Sequence, residues 1–130
     1  MGATILVVDD DQQVLEVLRE MLRLEGHDVD LAENGLEALA ALRKGHFDLI
    51  ITDLIMPEKE GLETIADIRR DYGNVPIIAI SGGGRGGPMN YLETARYIGA
   101  NRTLNKPFAR RELVEMVRDL LDPEPLPRCS

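Results

Sequence analysis

Ile5-Leu6-Val7-Val8-Asp9-Asp10-Asp11 sets four consecutive apolar residues directly before three carboxylates. A strand that is apolar at every position is covered on both faces, the condition of a central strand in a parallel sheet. The same form returns twice: Leu49-Ile50-Ile51 runs into Thr52 and Asp53, and Ile77–Ile80 runs into Ser81 and a glycine-rich stretch. Asp28–Ala32 instead alternates polar and apolar (Asp28, Val29, Asp30, Leu31), which suits a half-exposed edge strand. Arg102–Asn105 is the weakest strand of the five, with only Thr103 and Leu104 favouring extended backbone.

Amphipathic stretches fill the gaps between these runs. Val14, Leu18, Met21 and Leu22 share one face of a first helix, and Leu36, Leu39 and Leu42 one face of a second. Leu62, Ile65 and Ile68 line a third, Leu92, Ala95 and Ile98 a fourth, and Leu113, Val117 and Leu120 a fifth. Asn34 with Glu37 three residues on resembles a capping box, and Asp11 stands where a helix N-cap belongs. Strands alternating with helices build βαβ units. The expected fold is therefore α/β: a five-stranded parallel sheet in the order 2-1-3-4-5 flanked by five helices, the flavodoxin-like doubly wound arrangement. Residues 1–121 form one domain on this reading. Residues 122–130, with Pro123, Pro125 and Pro127, form an irregular tail too short for an output module.

Composition narrows the function. The chain of 130 residues carries a formal net charge of −8, which argues against direct nucleic-acid binding, since that requires clustered Lys and Arg. Its one cysteine, Cys129, has no intramolecular partner for a disulfide. No apolar run approaches membrane-spanning length and no charged-then-apolar leader opens the chain, so a cytoplasmic protein without membrane contact is expected.

In an open α/β sheet, ligands bind outside the carboxyl ends of the strands, near the point where strand order reverses. Asp9, Asp10 and Asp53 follow the two strands expected to meet there. Three ionised carboxylates in one small space repel one another; protonation of one, or a cation among them, relieves this. Oxygen-only ligands select a hard ion, and Mg²⁺ accepts one or two carboxylates while keeping positions for water and phosphate. With the ion present Asp53 stays ionised and can act as a nucleophile. Lys106 adds a point charge, the Ser81 hydroxyl a hydrogen bond, and the Gly82 N–H a close backbone donor for phosphoryl oxygens. Pro107 restricts Lys106 to extended backbone.

The four segments Ile5–Asp11, Ile51-Thr52-Asp53-Leu54-Ile55-Met56-Pro57, Ile80-Ser81-Gly82 and Asn105-Lys106-Pro107-Phe108 resemble the receiver domain of two-component response regulators, from Thr4 to about Leu121. The resemblance implies that Asp53 is the phosphoacceptor and that Asp9 and Asp10 bind Mg²⁺ together with Asp53 and the backbone carbonyl of Ile55. It also puts Ser81 at the hydroxyl switch position and Lys106 at the position of the family's lysine. The partners implied are a sensor histidine kinase or histidine phosphotransfer protein as donor, a downstream protein target, and a homodimer face on the fourth and fifth helices. Such a domain is regulatory and catalyses only its own phosphorylation and dephosphorylation. Two departures stand out: Thr103 occupies the strand-five position where such domains usually carry Tyr or Phe, and Gly82–Pro88 is unusually glycine-rich. Ile55 and Gly83, two residues beyond Asp53 and Ser81, cannot orient an attacking water, so slow self-dephosphorylation is expected.

Competing readings are weaker. A metal-dependent phosphatase of the haloacid-dehalogenase type would place an acid at position 55, where Ile stands. A degenerate, constitutive interaction module would not retain every phosphotransfer residue. The glycine run lacks the Gly-Lys-Ser/Thr ending of a P-loop, and His27 and His46 read as solvated loop histidines.

Overall fold

The computed structural model describes residues 2–54, 61–81, 96 and 99–121. The elements are β1 (Thr4–Val8), α1 (Gln12–Leu24), β2 (Asp28–Ala32), α2 (Gly35–Lys44), β3 (Leu49–Asp53), α3 (Gly61–Tyr72), β4 (Ile77–Ser81), β5 (Arg102–Asn105) and α4 (Arg110–Leu121). All four strand pairings are parallel, and the sheet runs β2-β1-β3-β4-β5. Both the α/β class and the strand order match the sequence-based expectation. The expected fourth helix, around Leu92–Ile98, lies outside the described residues except for helical Arg96, so α4 is the helix expected as the fifth.

The continuous apolar strands divide their side chains between two cores, because successive strand residues point to opposite faces. Leu6, Val8, Ile50, Ile77 and Ala79 pack with Ala38 and Leu42 of α2 and with Ile65 and Ile68 of α3. Ile5, Val7, Leu49, Ile51, Ile78, Ile80 and Leu104 pack with Leu15, Leu18 and Leu22 of α1 and with Leu113 and Val117 of α4. The sheet is thus covered on both sides, as its composition demands. Its outer strand β2 exposes Asp28 and Asp30, and charges on an edge discourage pairing with another chain.

One helix departs from its sequence pattern at a single position. Leu36, Leu39 and Leu42 are the expected inner face of α2; Leu42 is buried and Leu39 packs half-buried against the same core, with Gly35 and Ala38 buried beside them, but Leu36 is 57% exposed. The small residues at 35 and 38 let the helix axis lie close to the sheet, and Leu36, about 100° round from Gly35, is left facing water. The cap at Asn34 forms as expected, its side chain accepting from the Glu37 N–H at 2.8 Å. The return bond shifts by one residue: Glu37 Oε1 accepts from the Glu33 N–H at 2.7 Å. Asp11 caps α1 by accepting from the Gln13 N–H.

His27 is not a free loop histidine. Its Nδ1 accepts from the Ala3 N–H at 3.1 Å, and burial holds its pKa below the ordinary histidine value. On the opposite side of the sheet edge, Arg69 closes the end of α3. It donates to the carbonyls of Gly73, Val75 and Gly99 and to Asn101 Oδ1, at 2.7 to 3.0 Å. No helix among the described residues is long and apolar enough to cross a membrane.

Candidate metal centre at the carboxyl ends of the strands

The chain leaves β1 for β2 on one side and later enters β3 on the other, so strand order reverses between β1 and β3. In register, Val8 lies opposite Thr52 and Asp53 opposite Ile80. Asp9 and Asp53 therefore stand side by side, one step past the last β1–β3 pair, on strands roughly 4.8 Å apart. Ser81 pairs with Asn105, which puts Ser81 at the end of β4 and Lys106 one residue past the end of β5, along the same rim. The Lys106 N–H donates to the Ser81 carbonyl at 2.9 Å, tying these two positions together.

Asp9, Asp10 and Asp53 each offer a carboxylate oxygen, and the three oxygens all lie within 4.8 Å of one another. Asp9 and Asp53 are buried, with 2% and 6% exposure, whereas Asp10 is exposed. Burial, reinforced by the neighbouring Asp9 charge, pushes the Asp53 carboxyl up to about 6. Lys106 and the Leu54 N–H, which donates to Asp53 Oδ1 at 3.0 Å, pull only partly in the other direction. Asp9 is also raised, chiefly by burial; bonds from the Asp11 N–H and from Lys106 oppose the rise. Two buried carboxylates and a third at the mouth make an all-oxygen, electron-rich donor set that a hard divalent cation would neutralise. The residues present fit Mg²⁺.

Of the residues singled out in the sequence, Asp9, Asp10 and Asp53 converge as expected. Lys106 reaches the cluster too, but its Nζ pairs with Asp9 Oδ2 at 3.1 Å. Ser81 ends β4, half-buried, on the strand beside Asp53. The Ile55 carbonyl, the Gly82 N–H and the Gly82–Pro88 stretch lie outside the described residues. The Lys106–Pro107 peptide is cis. Thr103 is half-buried between exposed Arg102 and buried Leu104.

Two residues near Asp53 carried no sequence-based expectation of their own. Thr52 Oγ1 donates to the Asp53 carbonyl oxygen at 3.0 Å, and the Gly61 N–H donates to the Leu54 carbonyl at 2.9 Å. Beside the cluster, Val14, Val17, Met21, Pro107 and Phe108 line an apolar groove of about 560 Å³ whose rim includes Asp11 and Lys106.

Comparison with known proteins bears directly on this geometry. The model of the response regulator receiver domain family matches residues 5–118. The transcriptional regulatory protein CpxR homolog of Haemophilus influenzae is 38% identical over 90% of this chain and 49% of its own length. Response regulator MprA of Mycobacterium bovis is 36% identical over 93% and 51% respectively. The chain thus spans about half the length of the curated relatives it matches. Among solved structures, chemotaxis response regulator CheY4 of Vibrio cholerae superposes with a TM-score of 0.83 at 30% identity, covering 93% of this chain and all (100%) of that one. Response regulator TrrA of Thermotoga maritima, solved with Mg²⁺ and BeF, superposes with a TM-score of 0.81 at 36% identity, with coverage of 93% and 100%.

Proposed function

Because the chain belongs to the response regulator receiver domain family of two-component systems, we propose that Asp53 accepts a phosphoryl group in a Mg²⁺-dependent reaction. The observation that carries the reading is the convergence of Asp9, Asp10 and Asp53 within 4.8 Å, with Lys106 on the same cluster. Asp9, Asp10 and Asp53 would hold the ion, together with the Ile55 carbonyl. When bound, the ion neutralises negative charge shared by the carboxylates and the incoming phosphoryl oxygens.

The protein's own groups perform the rest. A phosphohistidine on a sensor kinase or phosphotransfer protein presents phosphorus to an Asp53 oxygen. The P–N bond breaks as the O–P bond forms, and the imidazole leaves with the electron pair. The Leu54 N–H holds the other carboxylate oxygen, which orients Asp53 for attack. Lys106, just past β5, and the Ser81 hydroxyl, at the end of neighbouring β4, would receive phosphoryl oxygens, with Lys106 exchanging part of its contact with Asp9 to do so. The apolar groove against Lys106 supports docking of the donor there, because whatever delivers phosphorus to Asp53 must cover that rim. The output is contact with a downstream protein, with residues 1–121 as the switching unit and the helical face that includes α4 as the dimer or target surface. The chain spans about half the length of the relatives named as transcriptional regulators, and its net charge of −8 favours a protein partner over DNA for this domain. The reading places the protein in the cytoplasm, where such kinases expose their phosphohistidines.

Incubation with acetyl phosphate and Mg²⁺, followed by intact mass measurement, tests the proposal. One added phosphoryl group is expected in the wild type, and none with EDTA or in Asp53→Asn. Unchanged mass in the wild type, or equal uptake by Asp53→Asn, would overturn it.

A further inference from the structure

We infer that Gly61 is a positioning residue for the Asp53 carboxylate, because only the absence of a side chain there lets α3 begin in contact with the Asp53–Leu54 peptide. A methyl built on Gly61 would overlap the Asp53 carbonyl oxygen, and would lie 2.6 Å from Leu54 Cα and 3.0 Å from the Asp53 carbonyl carbon. Those neighbours are backbone atoms of the buried strand end, so they cannot rotate away as a flexible side chain would. The same peptide is held on every side. Thr52 Oγ1 donates to its carbonyl oxygen, and its N–H, that of Leu54, is shared between the Ile80 carbonyl and Asp53 Oδ1, each at 3.0 Å. One residue further, the Leu54 carbonyl accepts from the Gly61 N–H at 2.9 Å.

The consequence is mechanical. Any side chain at 61 must push the Asp53–Leu54 peptide away from α3, and the Leu54 N–H moves with it. That N–H is the hydrogen bond that sets the rotation of the Asp53 carboxylate, so a backbone displacement becomes a misaimed oxygen. A misplacement of about 1 Å at a reacting group can lower a rate by roughly 10²-fold. The rate consequence rests on the reading of Asp53 as the acceptor, whereas the displacement does not.

The test compares Gly61→Ala with Gly73→Ala in the full chain. Gly73 has φ +67 and open space around its missing side chain, so alanine there strains the backbone at the far end of α3 without touching Asp53. The first readout is the ¹⁵N–¹H resonance of Leu54 in metal-free protein without donor. The second is the rate of phosphoryl uptake from acetyl phosphate at saturating Mg²⁺. Gly61→Ala is expected to move the Leu54 resonance and slow uptake by about tenfold or more, and Gly73→Ala to do neither. A folded Gly61→Ala protein with an unmoved Leu54 resonance, or with uptake within about twofold of wild type, would overturn the inference. If Gly61→Ala does not fold, Thr52→Val loosens the same peptide without adding bulk. It is expected to move the Leu54 resonance and slow uptake several-fold, and wild-type behaviour would count against the claim. A wild type that takes up no phosphoryl group sinks the acceptor reading, while the Leu54 resonance still decides whether Gly61 positions the carboxylate.

Discussion

Consider Asp53→Asn in protein held free of divalent cations by EDTA. Asp53 is 6% exposed and its carboxyl is displaced from an ordinary 3.8 to about 6, first by burial and then by the Asp9 charge. At about 1.4 kcal/mol per pH unit, that displacement is on the order of 3 kcal/mol of penalty carried by the ionised native protein. The sign follows from proton counting. Between pH 3.8 and about 6 the native state holds a proton that the unfolded state has already released, so stability falls as pH rises through this window. Above it the full penalty is present; below it the penalty vanishes. Asparagine carries no charge to desolvate, and its Oδ1 can still accept the Leu54 N–H. Asp53→Asn is therefore expected to be more stable than wild type by about 2–3 kcal/mol at pH 7.5 and nearly equal to it near pH 4. With a urea m-value on the order of 1.5 kcal/mol/M, the unfolding midpoint rises by about 1.3–2 M at the higher pH. Millimolar Mg²⁺ should stabilise the wild type and narrow the gap, since a ligand of the native state stabilises it by mass action. Urea titrations of both proteins at the two pH values, with and without Mg²⁺, provide the measurement. A variant no more stable than wild type at pH 7.5 in EDTA would show that burial and repulsion at Asp53 are not what the geometry indicates.

Other outcomes follow from particular contacts. Arg69→Lys should cost about 2–3 kcal/mol in urea unfolding, because a single ammonium cannot reproduce the fork that serves the Gly73, Val75 and Gly99 carbonyls together with Asn101. On α2, Leu36→Ala should change stability by less than about 0.5 kcal/mol, while Ala38→Leu should destabilise by about 1–3 kcal/mol through overpacking; the reverse order would mean the helix is turned the other way. The aspartyl phosphate, once formed, should decay slowly, and Gly83→Glu should shorten its lifetime by offering a side chain that orients water; phosphoryl loss followed by mass decides both.

The strands and their order were legible because apolar composition reports burial directly. Ile5–Val8, Leu49–Ile51 and Ile77–Ile80 read as strands covered on both faces, the alternation of Asp28–Ala32 suited an edge, and the structure has strands in all four places. Even short, weak Arg102–Asn105 was recoverable, from Thr103 and Leu104 alone. The convergence of the three aspartates was legible for the same reason, as strand ends in a parallel sheet share one rim. The exposure of Leu36 on α2 was not. Leu39 and Leu42 pack on the core as their spacing advertised, whereas the close approach allowed by Gly35 and Ala38 leaves Leu36 facing water.

The amino-acid sequence alone determined the class of fold, the strand order and the set of acidic residues on one rim, because hydrophobic period and chain order are local properties of the string. Tertiary structure alone decided that Lys106 pairs with Asp9, that burial pushes the Asp53 carboxyl up to about 6, that His27 accepts from Ala3, and that a side chain at Gly61 would meet the Asp53 carbonyl. Each of these depends on distance and dielectric between residues far apart in the chain. Such quantities exist only once the strands are packed and water has been removed from around the charges.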